Sequence, residues 1–196
     1  MKKALRIATL SAAIVSSSAF AATDATLTFE GQSNAQYSAS IVRSGYEIGI
    51  VADFEQHFHE IDSTGYGLTS NGTGIFLVDR LSTAYLKSAD NSSFSLASFD
   101  TAWYGGSGTV TVNGYLNGTL TGSFDVSATD GGWTTQSGLS LGNVDYLTFN
   151  GTVGGGGGMQ LDNINVLAVP EPSTYAMMLG GLMALGFVAR KKRQQA

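Results

Sequence analysis

Two-residue alternation of apolar and polar side chains, broken repeatedly by glycine or asparagine, is the feature that most limits what this chain can become. "ATLTF" puts Ala25, Leu27 and Phe29 on one side, and "GTVTVNGYL" does the same with Val110 and Val112. "FSLASFDTAWY" alternates at Phe94 and Leu96 and, after a slip, at Phe99 and Trp103. "YEIGIVADF" and "GIFLVDRL" are compact apolar runs, and "TLTGSFDV", "VDYLTF" and "MQLDNINVLAV" follow. A period of two sends successive side chains to opposite faces of a strand, whereas a helix needs a period near 3.6. The middle of the chain carries no long stripe of the helical kind. The spacing predicts about eight or nine short strands. Layer packing of that many strands gives an all-β, jelly-roll-like β-sandwich in preference to a small barrel.

Asn-Gly dipeptides at Asn71, Asn113, Asn117 and Asn150 punctuate these runs. Asn-Gly tolerates the positive φ of a type I′ hairpin turn. The best placed is Asn117-Gly118, which would set Tyr115 opposite Leu120 and Val112 opposite Ser123. That pairing mixes apolar with polar on one face, and a bulge near Gly114 or Gly122 would repair it. The run Gly154 to Gly158 reads as a loop before the last strand, because it lacks the strand–helix setting of a phosphate loop.

The two ends have a different character. "MKKALRIATLSAAIVSSSAFA" opens with Lys2, Lys3 and Arg6, continues through an apolar stretch and closes on the small residues Ala19 and Ala21. That order predicts a signal peptide over residues 1–21, cut after Ala21, with the Sec translocon and signal peptidase as partners. Residues 22–168 then form one domain of ordinary size. The whole chain of 196 residues has a net charge of −5, but most of its ten basic residues sit in the ends. The middle holds only Arg43, Arg80 and Lys87 against fourteen Asp and Glu, a net of −11. Nucleic acid is excluded as a partner, since phosphate needs the opposite sign. There is no cysteine, so disulfides, thiol nucleophiles and cysteine zinc sites are excluded too.

After residue 168 comes Pro170-Glu171-Pro172, which breaks any strand. An apolar span follows over 173–189, then Arg190-Lys191-Lys192-Arg193 in a basic tail over 190–196. A helix over the fifteen uncharged residues Tyr175 to Ala189 is only about 22 Å long. The hydrocarbon core is about 30 Å thick, so the span predicts a short transmembrane helix at the lower limit, its basic end held in the cytoplasm.

"VPEPSTYA", the glycine-rich apolar span and the basic cluster, in that order, resemble the PEP-CTERM sorting signal, which would occupy 169–196. The resemblance implies export in a Gram-negative bacterium and processing near Pro170, Glu171 and Pro172 by an exosortase. It implies a transient tether to the inner membrane, then the cell surface or extracellular matrix, and an association with exopolysaccharide and biofilm or floc formation. The middle resembles, on "GYGLTSNGTG", "FSLASFDTAWY", "TVTVNGYLNGTLTGSFDV" and "MQLDNINV", a recurrent body of such proteins, similar to carbohydrate-binding jelly rolls.

In jelly rolls of that kind the first and last strands run side by side, and an acid from each commonly holds a structural Ca²⁺. The resemblance implies Glu30 and Asp162 for that role, within an acid-rich middle able to supply oxygen ligands. His57 and His59 share a strand face in "FEQHFHEID", but no third ligand is evident beside Glu55, and they read as exposed strand residues. Among the aromatics that suit stacking on sugar, Tyr46, Tyr66, Trp103, Tyr104, Tyr115 and Trp133, the expected glycan-binding residues are Trp103, at a strand end, and Trp133, in the polar loop "TDGGWTT". No catalytic residue stands out: the Gly-x-Ser-x-Gly elbow is absent, and no acid pair can be singled out for glycoside hydrolysis. The reading is an exported, non-catalytic surface or exopolysaccharide-matrix protein. The alternative is a carbohydrate-binding module, and a polysaccharide hydrolase ranks third.

Overall fold

The computed structural model of the chain describes residues 23–30, 35–37, 40–51, 58–61, 71–79, 82–153, 157–170 and 172–193. Among them the strands form two sheets, and every strand pairing is antiparallel. One sheet runs β11 (Thr134–Ser137), β8 (Phe94–Tyr104), β13 (Gly158–Ala168), β6 (Ile75–Asp79), β5 (Phe58–Ile61) and β2 (Ala35–Tyr37), with β1 (Ala25–Leu27) also paired to β13. The other runs β10 (Thr119–Thr129), β9 (Ser107–Leu116), β12 (Tyr146–Val153), β7 (Thr83–Ser88), β4 (Tyr46–Val51) and β3 (Ser40–Arg43). The β-sandwich expectation therefore stands. Four strands fall outside the runs read from the sequence: β3, the central β7, and the short edge strands β2 ("AQY") and β11 ("TTQS"). Both β2 and β11 are too short to show an alternation.

The core lies between the sheets, where alternate residues of both converge. Phe99 of β8 and Phe149 of β12 meet edge to face at 5.4 Å, and Tyr46 of β4 meets Phe94 of β8 at 5.3 Å. Each pair joins one sheet to the other, and all four rings are buried. Burial of a side chain of this size contributes about 1.5–3 kcal/mol. In a chain without disulfides that core carries the stability.

The Asn117-Gly118 hairpin forms as the sequence suggests. Asn117 and Gly118 take φ of 51° and 75° between β9 and β10, and Tyr115 pairs with Leu120. The register then slips between Leu120 and Gly122, so that Gly114 faces Gly122 and Val112 faces Phe124. The bulge restores apolar to apolar, the repair the alternation demanded. Asn113-Gly114 and Asn150-Gly151 are not turns, however: both lie inside strands, β9 and β12.

The tail forms one helix, α1 (Pro172–Arg193). Pro172 opens it, where its missing N–H costs nothing. Among the described residues no helix is long and apolar enough to cross a membrane. Arg190 to Arg193 occupy the last turn of α1. Met177, Leu179, Leu182, Leu185 and Phe187 are all exposed on α1.

Candidate functional site

The outer face of the six-stranded sheet collects polar and aromatic residues from alternate positions. β7 contributes Thr83, Tyr85 and Lys87, β12 contributes Tyr146, Thr148 and Asn150, and β9 contributes Thr111, Asn113 and Tyr115. Their neighbours Ala84, Leu86, Leu147, Phe149, Val110 and Val112 point inward and are buried. The antiparallel register sets Tyr146 opposite both Tyr115 and Lys87, Thr148 opposite Asn113 and Tyr85, and Asn150 opposite Thr111 and Thr83. The three tyrosines consequently form a row across the strands. Tyr85 and Tyr146 are nearly parallel with centroids 5.6 Å apart, and Tyr115 lies 6.2 Å from Tyr146. Beside them is an open depression of about 420 Å³, lined by Tyr115, Tyr146, Asn113, Asn150, Thr148, Thr83, Val51 and Gly118.

Hydrogen bonds fix this floor. The Thr83 hydroxyl donates to Asn150 Oδ1 at 2.8 Å, and Asn150 Nδ2 donates to Thr148 Oγ1 at 3.1 Å and to the Thr111 carbonyl at 3.3 Å. At one end Tyr85 donates to Glu47 Oε1 at 2.6 Å, while Lys87 Nζ lies 3.0 Å from Glu47 Oε2. The Tyr85 hydrogen bond holds the Glu47 carboxyl below its ordinary pKa, with Lys87 assisting against burial. Burial pushes the Tyr85 and Tyr146 hydroxyls up, so both are protonated donors at neutral pH. The face offers neutral donors and acceptors around aromatic rings. That is the chemistry that holds a sugar, with C–H groups against a ring and hydroxyls on the rim.

A second cluster lies in the other sheet. β1 pairs with β13 through Ala25–Val166 and Leu27–Ile164, so the first and last strands do run side by side. Asp162 is wholly buried. Its Oδ2 accepts from Asn71 Nδ2 at 2.7 Å and from the Thr73 hydroxyl at 2.5 Å, and its Oδ1 accepts the Asn163 N–H at 2.7 Å. Burial raises its pKa against these hydrogen bonds, and the charge of Glu30 pushes the same way. The Thr73 hydroxyl also lies 2.7 Å from Asn71 Oδ1. One hydroxyl proton thus faces two acceptors, in a cluster whose donors to a cation would all be oxygens. Such a set suits a hard cation and not zinc. Among the described residues there is no group of three or more His, Cys, Asp or Glu able to hold a metal; Asn71 and Thr73 contact Asp162 directly, and Glu30 acts on it through its charge.

The other expected residues fall in various places. Trp103 is a core residue, 0% exposed. It presents no face to a sugar, and the glycan-binding expectation for it is corrected. Its strand end turns the ring inward, against the backbone of Gly108 and Gly151. Tyr46 is likewise buried. Trp133 is half-buried in the turn before β11. His59 sits in β5 opposite Leu77 and Gln36, while Glu55, His57 and Tyr66 lie outside the described residues. So do Ala19, Ala21 and Glu171. Pro170 is exposed just before α1, whose last turn carries Arg190, Lys191, Lys192 and Arg193. Tyr85 and Tyr146 were not singled out from the sequence, and Asn113 and Asn150 were read as turn residues. The signal was present: "STAYLK", "VDYLTFN" and "VTVNGYL" each carry a second, polar–aromatic alternation out of phase with the apolar one.

The PEP-CTERM protein-sorting motif matches residues 168–193, and it marks the chain as an exported protein sorted by an exosortase. No curated protein matches the sequence. Among solved structures, a DUF4465 family protein from Bacteroides caccae aligns over 75% of this chain and 100% of its own, at 15% identity and a TM-score of 0.48. A family 29 carbohydrate-binding module aligns over 69% and 93%, at 17% identity and a TM-score of 0.38. The family 11 carbohydrate-binding module of a Clostridium thermocellum cellulosomal cellulase aligns over 77% and 98%, at 18% and 0.31.

Proposed function

We propose that this protein is a non-catalytic component of the cell surface or exopolysaccharide matrix that binds polysaccharide on the open face of its six-stranded sheet. The row of Tyr85, Tyr146 and Tyr115 over a floor of threonine and asparagine carries the reading. The rings supply stacking surface, and the amides and hydroxyls supply orientation. Binding fits this face better than hydrolysis. A glycosidase needs a carboxyl with a raised pKa beside a second carboxylate. Glu47, at the edge of the row, is instead held ionised by Tyr85 and Lys87.

The sorting tail supports delivery of this face to the outside, with the exosortase acting near Pro170 and with biofilm or floc material as its setting. A strain lacking the exosortase is expected to keep the full-length chain at the membrane. A structural Ca²⁺ at Glu30 and Asp162, with Asn71 and Thr73, is proposed as a clamp between the chain ends. It is supported by the shared hydroxyl proton of Thr73. When bound, such an ion supplies charge compensation to the buried Asp162 and no chemistry.

Affinity electrophoresis in gels containing the producing cell's own polysaccharide tests the binding reading. Retardation that is lost in Tyr146→Ala and kept in Trp133→Ala is expected. A mobility indifferent to the polysaccharide would leave a purely structural matrix role.

A further inference from the structure

Building on the polysaccharide reading, we infer that this face selects neutral glycan chains and turns away anionic ones. The charges that frame the tyrosine row are few and one-sided. Lys87 is the cation on the described strands of that face, and Glu47 already matches it at 3.0 Å. At the opposite end Asp145 sits beside Tyr115, its N–H bonded to the Tyr115 carbonyl at 2.9 Å and its Oδ2 accepting the Asn117 N–H at 2.7 Å. On β10, Asp125 accepts from the Thr111 hydroxyl at 2.6 Å, and Thr111 faces Asn150. Among the described residues Glu47 and Lys87 cancel, and Asp125 and Asp145 leave the rim at −2.

Two physical consequences follow for a ligand. A uronate or sulfate lying along the row would meet like charge on the rim and lose water against tyrosine, threonine and asparagine without gaining a cation. The surrounding domain, with its net of −11, extends the same field beyond the contact. A neutral chain meets neither cost. Its hydroxyls pair with amide and hydroxyl groups that already act as both donors and acceptors. The tyrosines come one from each of β7, β12 and β9, and neighbouring strands are about 4.8 Å apart. The chain therefore runs across the strands, from the Glu47–Lys87 end toward Asp145.

The test uses pairs of polymers with one backbone and two charge states: hydroxyethylcellulose against carboxymethylcellulose, and dextran against dextran sulfate, with neutral galactomannan as a third backbone. Affinity electrophoresis is run at low ionic strength with a chelator present, on the full-length protein. The expected result is that a neutral chain retards the protein at a concentration about tenfold below its anionic counterpart. Retardation disappears in Tyr146→Ala, whose unchanged far-ultraviolet circular dichroism shows that it folds. The double variant Asp125→Asn, Asp145→Asn narrows the gap, and Asp125→Asn alone, on an exposed side chain, serves that arm if the double variant unfolds. An anionic chain bound as well as its neutral partner, through the same Tyr146, would overturn the selectivity and leave the polysaccharide reading standing. If no chain is retained, or Tyr146→Ala changes nothing, both fall.

Discussion

Trp103 shows what a large core ring requires of its neighbours. A Cβ on Gly108 would lie 2.5 Å from the ring, and one on Gly151 3.2 Å from it. Both glycines are therefore space-makers for one side chain. Trp103→Ala should cost about 3–5 kcal/mol in urea unfolding, with the tyrosine face still able to bind once the variant is folded. A loss under about 1 kcal/mol would mean that the ring is not packed as described. Alternation in "FSLASFDTAWY" gave the strand, but an indole at a strand end reads equally as core or rim; only the glycines on other strands decide. Glu47 offers a second test. Its folded pKa is below its unfolded value, chiefly through the Tyr85 hydroxyl. Its contribution to stability is therefore present above the unfolded pKa and lost as pH falls through the folded one. Between about pH 5 and about pH 3, wild type should lose more melting temperature than Glu47→Gln; parallel profiles would contradict the assignment.

At the scale of elements, the β9–β10 hairpin and its need for a bulge were legible, because Asn-Gly sets the turn and the apolar pattern demands a slip; the register itself comes from the structure. Gly118 has φ of 75°, where a Cβ is strained. Gly118→Val should destabilise by about 1–2 kcal/mol in thermal or urea unfolding, and an unchanged protein would rule out the turn. The same dipeptide misled at Asn113 and Asn150, which serve as strand amides on the outer face. Asn-Gly reports only that positive φ is tolerated, and the strands around it settle whether it is used. The edge strands β2 and β11 were invisible for a related reason. A strand of three or four residues, paired on one side, is too short to leave a period in the sequence.

The whole molecule joins a sandwich with one open aromatic face to a sorting tail. The pairing of the first and last strands, β1 and β13, was expected from the resemblance; Thr26 with Asn165 and Asp24 with the Ala168 N–H join them further, while Asp162 ties β13 to Asn71 and Thr73 ahead of β6. Added Ca²⁺ is expected to raise the melting temperature of the wild type and not that of Asp162→Asn, because a ligand that binds only the folded state stabilises it. An unchanged melting temperature would leave Asp162 as a hydrogen-bonded latch without an ion. The tyrosine row could not be read from the sequence as one site. Its members are far apart in the chain, and only the order β9, β12, β7 brings them together. The most direct measurement is isothermal titration of the folded protein with oligosaccharides released from its own matrix polysaccharide. Saturable binding that falls at least about tenfold in Tyr85→Ala and Tyr146→Ala, and is unchanged in Trp133→Ala, is the predicted result. Binding that survives both tyrosine substitutions, or is absent from the wild type, would contradict it.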